Sequence, residues 1–159
     1  MVSLNKKKNF KNIAKNVIEL EIQALKKLKS SINISFNQAV NAIVKCQSKI
    51  IFCGVGKSSK ISAKLSSTFS SIGNPSFTLS ASDASHGDLG SISKKDILIL
   101  LSYSGETNEL KNIIQYAKRN KILLIGIVSR KESILYRSSD IKLLIPKVVE
   151  AGGIVPTSS

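Results

Sequence analysis

From Lys49 onward the chain alternates short aliphatic blocks with longer stretches in which apolar positions recur every three or four residues. The blocks are IIFC (50–53), SFTL (76–79), ILILL (97–101), ILLIGIV (122–128) and IKLLI (141–145). Blocks this apolar read as strands buried on both faces, and the helical periods between them, at about 58–72 and 106–119, predict helices that cover the sheet. The expectation is an α/β fold, a doubly wound three-layer α/β/α sandwich on a five-stranded parallel sheet. Ahead of it, Phe10, Ile13, Val17, Leu25 and Leu28 carry the apolar side of a helix ending near Lys29. Ser35-Phe-Asn-Gln38 then has capping-box spacing before a second stripe of Ala39, Ala42 and Ile43. No repeat, low-complexity segment or Pro-rich linker interrupts the 159 residues. One domain is expected over 1–159, with N-terminal helices in 1–48 and the α/β core in 49–159.

Composition narrows the class of protein. No apolar run approaches the roughly 18 residues of a membrane span, and Lys6-Lys7-Lys8 leads into a polar-interrupted helix rather than a signal-peptide core, so a cytoplasmic protein without membrane contact is expected. Cys46 and Cys53 match no metal spacing and read as free thiols. The net charge of +14 invites nucleic acid, but the bases are mostly lysines dispersed along the chain, with three Tyr and five Phe for stacking. A solvated basic surface is the better reading, and such a field still attracts small phosphorylated substrates.

In parallel sheets ligands sit beyond the carboxyl ends of the strands, and there the sequence places its small polar residues. Cys-Gly-Val-Gly-Lys-Ser (53–58) follows the first block. A P-loop needs glycine where Ile51 stands and a dinucleotide fingerprint needs one at Ser59, so no nucleotide is read from it. What remains is a turn at Gly54 and Gly56 that admits a ligand to the backbone, with Lys57 aimed into the crevice and Ser58 opening a helix; the plain alternative is an ordinary turn with a solvated lysine. After the third block, Ser102, Ser104 and Thr107 supply hydroxyls, and Gly105 removes a side chain that would block approach. The N–H groups of a helix expected to start near Glu106 point the same way, making a phosphate cradle that needs no metal. The helix dipole adds only about 0.3–1 kcal/mol, which leaves most of the holding to hydrogen bonds. The single histidine, His86, sits in a glycine-bounded loop between Asp83 and Asp88. Glu106, Glu109 and Glu150 lie near the same rim, where each serves either a helix end or general-base chemistry beside a phosphosugar.

GVGKS, SASDASHGDLG, SYSGETNE and PTSS, in this order, resemble the sugar isomerase domain family, and within it the bacterial arabinose 5-phosphate isomerase branch. The resemblance runs from the N-terminal helices to Ser159 and implies interconversion of ribulose 5-phosphate and arabinose 5-phosphate through an enediol, on the way to Kdo and lipopolysaccharide. Carried over, the catalytic lysine falls on Lys57, the loop histidine on His86 and the acids on Glu109 and Glu150. Phosphate contacts fall on Ser102, Ser104, Gly105 and Thr107, completed by Thr157 and Ser158 of PTSS. Gly54, Gly56, Ser58 and Glu106, with Gly73 and Asn74 ahead of the second strand, are counted with the substrate-binding set.

No cofactor and no metal is expected: Ser80 stands where many relatives have a histidine implicated in zinc binding. The family continues past the position of Ser159 with a helix carrying a further histidine, and often with CBS domains. A C-terminally truncated chain is therefore expected, one that binds substrate even if it does not turn it over. Relatives in the branch are similar in forming tetramers with shared sites, which implies a homo-oligomer here. The alternatives are a non-catalytic phosphosugar-binding regulatory domain and an isomerase for another sugar phosphate, such as hexulose 6-phosphate.

Overall fold

The computed structural model describes residues 9–84 and 87–150. These fall into two compact units, one of residues 32–145, the other holding the described residues through Ser31 and those from Pro146. In the smaller unit, α1 (Phe10–Ser31) follows the predicted period and buries none of its side chains; Phe10, Ile18 and Leu25 are exposed.

The larger unit runs α2 (Ile34–Val44), β1 (Ile50–Gly54), α3 (Lys57–Ser71), β2 (Ser76–Ser80), α4 (Ala81–Ala84), a 3-10 turn (Asp88–Ser91) and β3 (Ile97–Leu101), and then α5 (Leu110–Arg119), β4 (Leu123–Val128), α6 (Ile134–Ser138) and β5 (Ile141–Leu144). All five strands are parallel, in the order β2-β1-β3-β4-β5. Each predicted block is a strand. The pleat sends alternate residues to opposite faces. Ile51, Cys53, Leu98, Leu100 and Leu124 pack against Leu110, Ile113, Ile114 and Ala117 of α5 and Leu135 of α6. Ile50, Phe52, Ile97, Ile99 and Ile125 pack against Ala39 of α2 and Leu65 and Phe69 of α3. That is the three-layer sandwich, each fully buried large aliphatic contributing about 1.5–3 kcal/mol.

Three local expectations change. Burial on both faces holds at every position of β1 and β3 and gives way to partial exposure at the edges, β2 and β5, which have a neighbour on one side only. The cap of α2 is Asn33 rather than Ser35: the Ser35 N–H donates to Asn33 Oδ1 at 2.8 Å. Finally, α5 begins at Leu110, four residues after Glu106, because the chain first closes a tight turn through Leu110 N–H to Thr107 O at 3.2 Å.

The amino rim of the sheet is held by one buried carboxylate. Asp96 is 1% exposed. It accepts from the Ser48 hydroxyl at 2.5 Å, the Ser93 N–H at 2.6 Å, the Lys49 ammonium at 3.1 Å and the Lys49 N–H at 3.3 Å. Burial alone raises such a carboxyl, but the four donors outweigh it and hold Asp96 below its ordinary 3.8. A folded pKa below the unfolded one gives stability that is full above about pH 5 and lost as pH falls through the folded value. Asp96→Ala is expected to lower unfolding free energy by about 2–4 kcal/mol near pH 7. In denaturant titrations at several pH values, the gap to the parent protein should shrink below about pH 4; a gap that widens there would contradict this account.

Candidate functional site

The strand order reverses direction at β1, whose chain goes first to β2 on one side and then returns to β3 on the other. Such a switch point opens a crevice at the carboxyl ends of the strands. The register sets its floor, since Gly54, the last residue of β1, pairs with Ser80 of β2 and with Leu101 of β3. Beyond Gly54 the chain turns at Gly56, with φ +62°, into α3, placing Lys57 at the helix start. Gly54 is required by α3 itself, because a Cβ there would lie 2.8 Å from the Ser58 backbone carbon and Cβ. Beneath the turn, burial pushes the Cys53 thiol up to about 12, which keeps it protonated and out of nucleophilic chemistry.

The loop after β3 is a braced cradle. The Ser102 hydroxyl is hydrogen-bonded to the Thr107 hydroxyl at 2.8 Å and accepts from the Gly105 N–H at 3.0 Å, and Ser104 Oγ accepts from the Glu106 N–H at 3.3 Å. The Ser129 N–H and hydroxyl donate to Tyr103 O at 3.0 and 2.7 Å, tying the loop to the end of β4. Ser102 is 5% exposed and acts as the internal brace, while Ser104 and Thr107 are half-buried at the surface of the loop.

Gly105 is also required by packing. Its φ is +69°, and a Cβ there would overlap the Ser133 hydroxyl and lie 2.5 Å from the Ser133 Cβ. The loop presses on the start of α6, where the Leu135 N–H donates to Gly105 O at 3.1 Å and the Ile134 N–H donates to Glu106 Oε1 at 3.0 Å. Glu106 thereby satisfies a helix-start amide, as the dipole favours. Glu109 is placed differently: it precedes α5 in helical backbone conformation, makes no side-chain cap to that helix, and lines a cleft. The structure thus separates two acids that the sequence presents as equals.

That cleft has a volume of about 400 Å³ and lies over the ends of β1 and β2. Gly54 and Gly56 line it, with Ser59 and Lys60 of α3, Ser80 of β2 and Ser82 of α4. Ser59, Lys60 and Ser82 went unread as site residues. The available signal was the three-residue step from Lys57 to Lys60, which keeps two lysines on neighbouring turns of one helix start.

Gly73 and Asn74 are not brought to the cleft. The Gly73 N–H donates to Ser70 O and the Asn74 N–H to Phe69 O, with Gly73 at φ +87°, an arrangement that closes the carboxyl end of α3. They sit ahead of β2, at the amino rim of the sheet and away from the crevice. Glu150 belongs to the smaller unit. His86, Thr157 and Ser158 lie outside the described residues. Among the described residues no cluster of three or more His, Cys, Asp or Glu side chains could hold a metal ion, and no helix is long and apolar enough to cross a membrane.

Residues 43–159 match the family described as SIS domain. The arabinose 5-phosphate isomerase of Yersinia pestis is 41% identical over 153 residues, which cover 95% of this chain and 47% of that protein. The chain therefore spans about half the length of the curated relatives it matches. An E. coli CFT073 protein solved in complex with arabinose 5-phosphate superposes with a TM-score of 0.89 at 34% identity, covering 98% of this chain and 84% of that one. The Vibrio vulnificus NanR protein, solved with ManNAc-6P, shares the fold at a TM-score of 0.78 and 20% identity, over 92% of this chain and 54% of that one.

Because the Gly105 contact is steric as well as conformational, Gly105→Ala is expected to destabilise by about 2–4 kcal/mol. Adding Ser133→Gly should recover part of that loss, so the double variant falls short of the sum of the singles in denaturant unfolding. Simple additivity would mean that the overlap does not limit this position.

Proposed function

The chain belongs to the SIS domain family, and from that premise we propose that it is an aldose-ketose isomerase interconverting D-ribulose 5-phosphate and D-arabinose 5-phosphate. The observation that carries this reading is the pairing of a hydroxyl cradle, Ser104 and Thr107, with a carboxylate two residues on, Glu109, that lines a cleft with Ser59, Lys60, Ser80 and Ser82. The identity to named arabinose 5-phosphate isomerases supports the choice of sugar.

The cradle holds the phosphate through hydroxyl and amide donors. Anchored so, the open-chain sugar lies with its reactive carbons beside Glu109, which takes the carbon-bound proton. Lys57 stabilises the oxyanion, and His86 moves protons among the hydroxyls. The product feeds Kdo and lipopolysaccharide synthesis. The setting is the cytoplasm, where phosphorylated sugars are retained by their charge. A homotetramer completes the reading, supported by apolar side chains that each unit leaves exposed: Phe10, Ile18 and Leu25 on α1, and Phe36, Val40 and Val44 at four-residue spacing on α2.

NMR of the purified protein with ribulose 5-phosphate is expected to show a growing arabinose 5-phosphate anomeric signal. Binding without conversion would instead favour a phosphosugar sensor. Ser104→Ala with Thr107→Ala should weaken arabinose 5-phosphate binding by at least about tenfold in calorimetry with the fold intact, as expected for two lost contacts to a charged group. Unchanged affinity would remove the cradle from the site.

For shared sites, inactive His86→Ala and inactive Glu109→Ala proteins are mixed and allowed to exchange subunits. Partial return of activity is expected if the two residues act from different chains, and no recovery after verified exchange places them in one.

A further inference from the structure

The cleft contains a cation to which the mechanism above gives no role. Among the described residues that line it, Glu109 is the one carboxylate and Lys60 the one ammonium; Lys57 is not among them. Lys60 stands in the first turn of α3, with Ser59 beside it on the helix and Ser80 and Ser82 facing from the end of β2 and from α4. At the turn, Gly54 and Gly56 contribute no side chain to the cleft. Besides apolar Val55, Ala63, Leu79 and Ala81, the lining therefore holds several hydroxyls and one positive charge. The Ser59 hydroxyl donates to Gly56 O and the Ser80 and Ser82 hydroxyls bond each other, each keeping capacity for one more partner such as a polyol oxygen. Enolisation has a strict requirement here. When a base removes a carbon-bound proton, negative charge appears on the adjacent carbonyl oxygen, and the donor that stabilises it must share the cavity with the base.

Resting on the isomerase reading, we propose that Lys60 is a further catalytic residue, holding the C1 oxygen of the open-chain phosphosugar while Ser59, Ser80 and Ser82 receive its neighbouring hydroxyls. Glu109 takes the C2 proton of the aldose. The C2–H electron pair becomes the C1–C2 double bond, and the carbonyl pair moves onto the C1 oxygen, where the Lys60 ammonium hydrogen-bonds it. The hydroxyl proton on the C2 oxygen then passes to the C1 oxygen as the C2 carbonyl forms, and Glu109 returns its proton to C1. No proton or electron is gained or lost over the cycle. Lys60 thus adds a second cation to the Lys57 already proposed for the oxyanion, both being in the first turn of α3.

The test compares Lys60→Met and Lys60→Arg with the parent protein, and uses Lys64→Met, outside the cleft lining, as the control for lost charge on α3. Two readouts are taken: arabinose 5-phosphate turnover, and calorimetric affinity for arabinose 5-phosphate against inorganic phosphate. Lys60→Met is expected to lower kcat by about a hundredfold, with KM changed less than about threefold and phosphate affinity unchanged. Lys60→Arg should restore part of the rate, and Lys64→Met should match the parent. A Met variant within about twofold of the parent kcat overturns the proposal and leaves the isomerase reading standing. If the parent itself turns over no sugar, the isomerase reading fails separately. Lys60 is then judged by binding: a Met variant that keeps the parent's preference for the phosphosugar over phosphate overturns the placement of Lys60 against the sugar, and loss of that preference supports it.

Discussion

One register governs the candidate site. Gly54 pairs with Ser80 on one side and Leu101 on the other, so three strands end at the same height and release their chains into the same space. A slip of one residue in either pairing would send every side chain of a strand to the wrong face. β1 and β3 are buried at every position, which makes such a slip costly; the core that stabilises the sheet thereby also aligns the loops. The rim inherits its geometry from packing beneath it. This is why the glycine turn, the end of β2 and Glu109 line one cleft without a ligand to gather them.

The two rims of the sheet divide their duties. At the amino rim, Asp96 is fully committed, with four donors on one carboxylate, and Gly73 and Asn74 are consumed in closing α3. At the carboxyl rim, polar groups are braced but partly exposed: Ser104 and Thr107 each make an internal contact and still face outward. A hydroxyl carries two lone pairs and a donor, so one internal bond fixes its place and leaves capacity for a phosphate oxygen. Among the described residues, Ser62 on α3 is the exception, fully buried with no partner for its hydroxyl. At Gly54, the absence of a side chain admits Ser58 of the same helix.

What could be read from the sequence follows from how local each signal is. The block ILILL becomes β3 without a change at either end, since five consecutive aliphatics have no amphipathic way to fold and must be enclosed. The glycine turn and α3 were equally legible, because Gly-x-Gly after a strand constrains the backbone within a few residues. The start of α5 was not: Ser and Thr favour helix starts, yet here their hydroxyls bond within the loop and delay the helix to Leu110. Nor was the purpose of Gly105, which depends on Ser133, twenty-eight positions away in the chain. The placement of Gly73 and Asn74 is hidden for a similar reason. Glycine with asparagine suits a ligand loop or a helix end equally well, and only the hydrogen bonds back to Phe69 and Ser70 decide between them.

The two acids of the β3 loop carry the same lesson into chemistry. Glu106 and Glu109 are three residues apart in a segment that looks like one helix turn, and dipole arguments treat them alike. Had the helix begun at Glu106, both would have belonged to its first turn. Instead the loop spans the intervening residues as a braced turn, so that Glu106 meets the amide of Ile134 on the α6 side and Glu109 arrives over the cleft on the β1 side. A carboxylate hydrogen-bonded to a helix amide is held in place, which suits a strut. A carboxylate over a cleft of hydroxyls keeps its oxygens available, which suits a base. The delay in starting α5 is thus what assigns the acids their roles, and it is produced by the same Ser102–Thr107 and Ser104–Glu106 hydrogen bonds that shape the cradle.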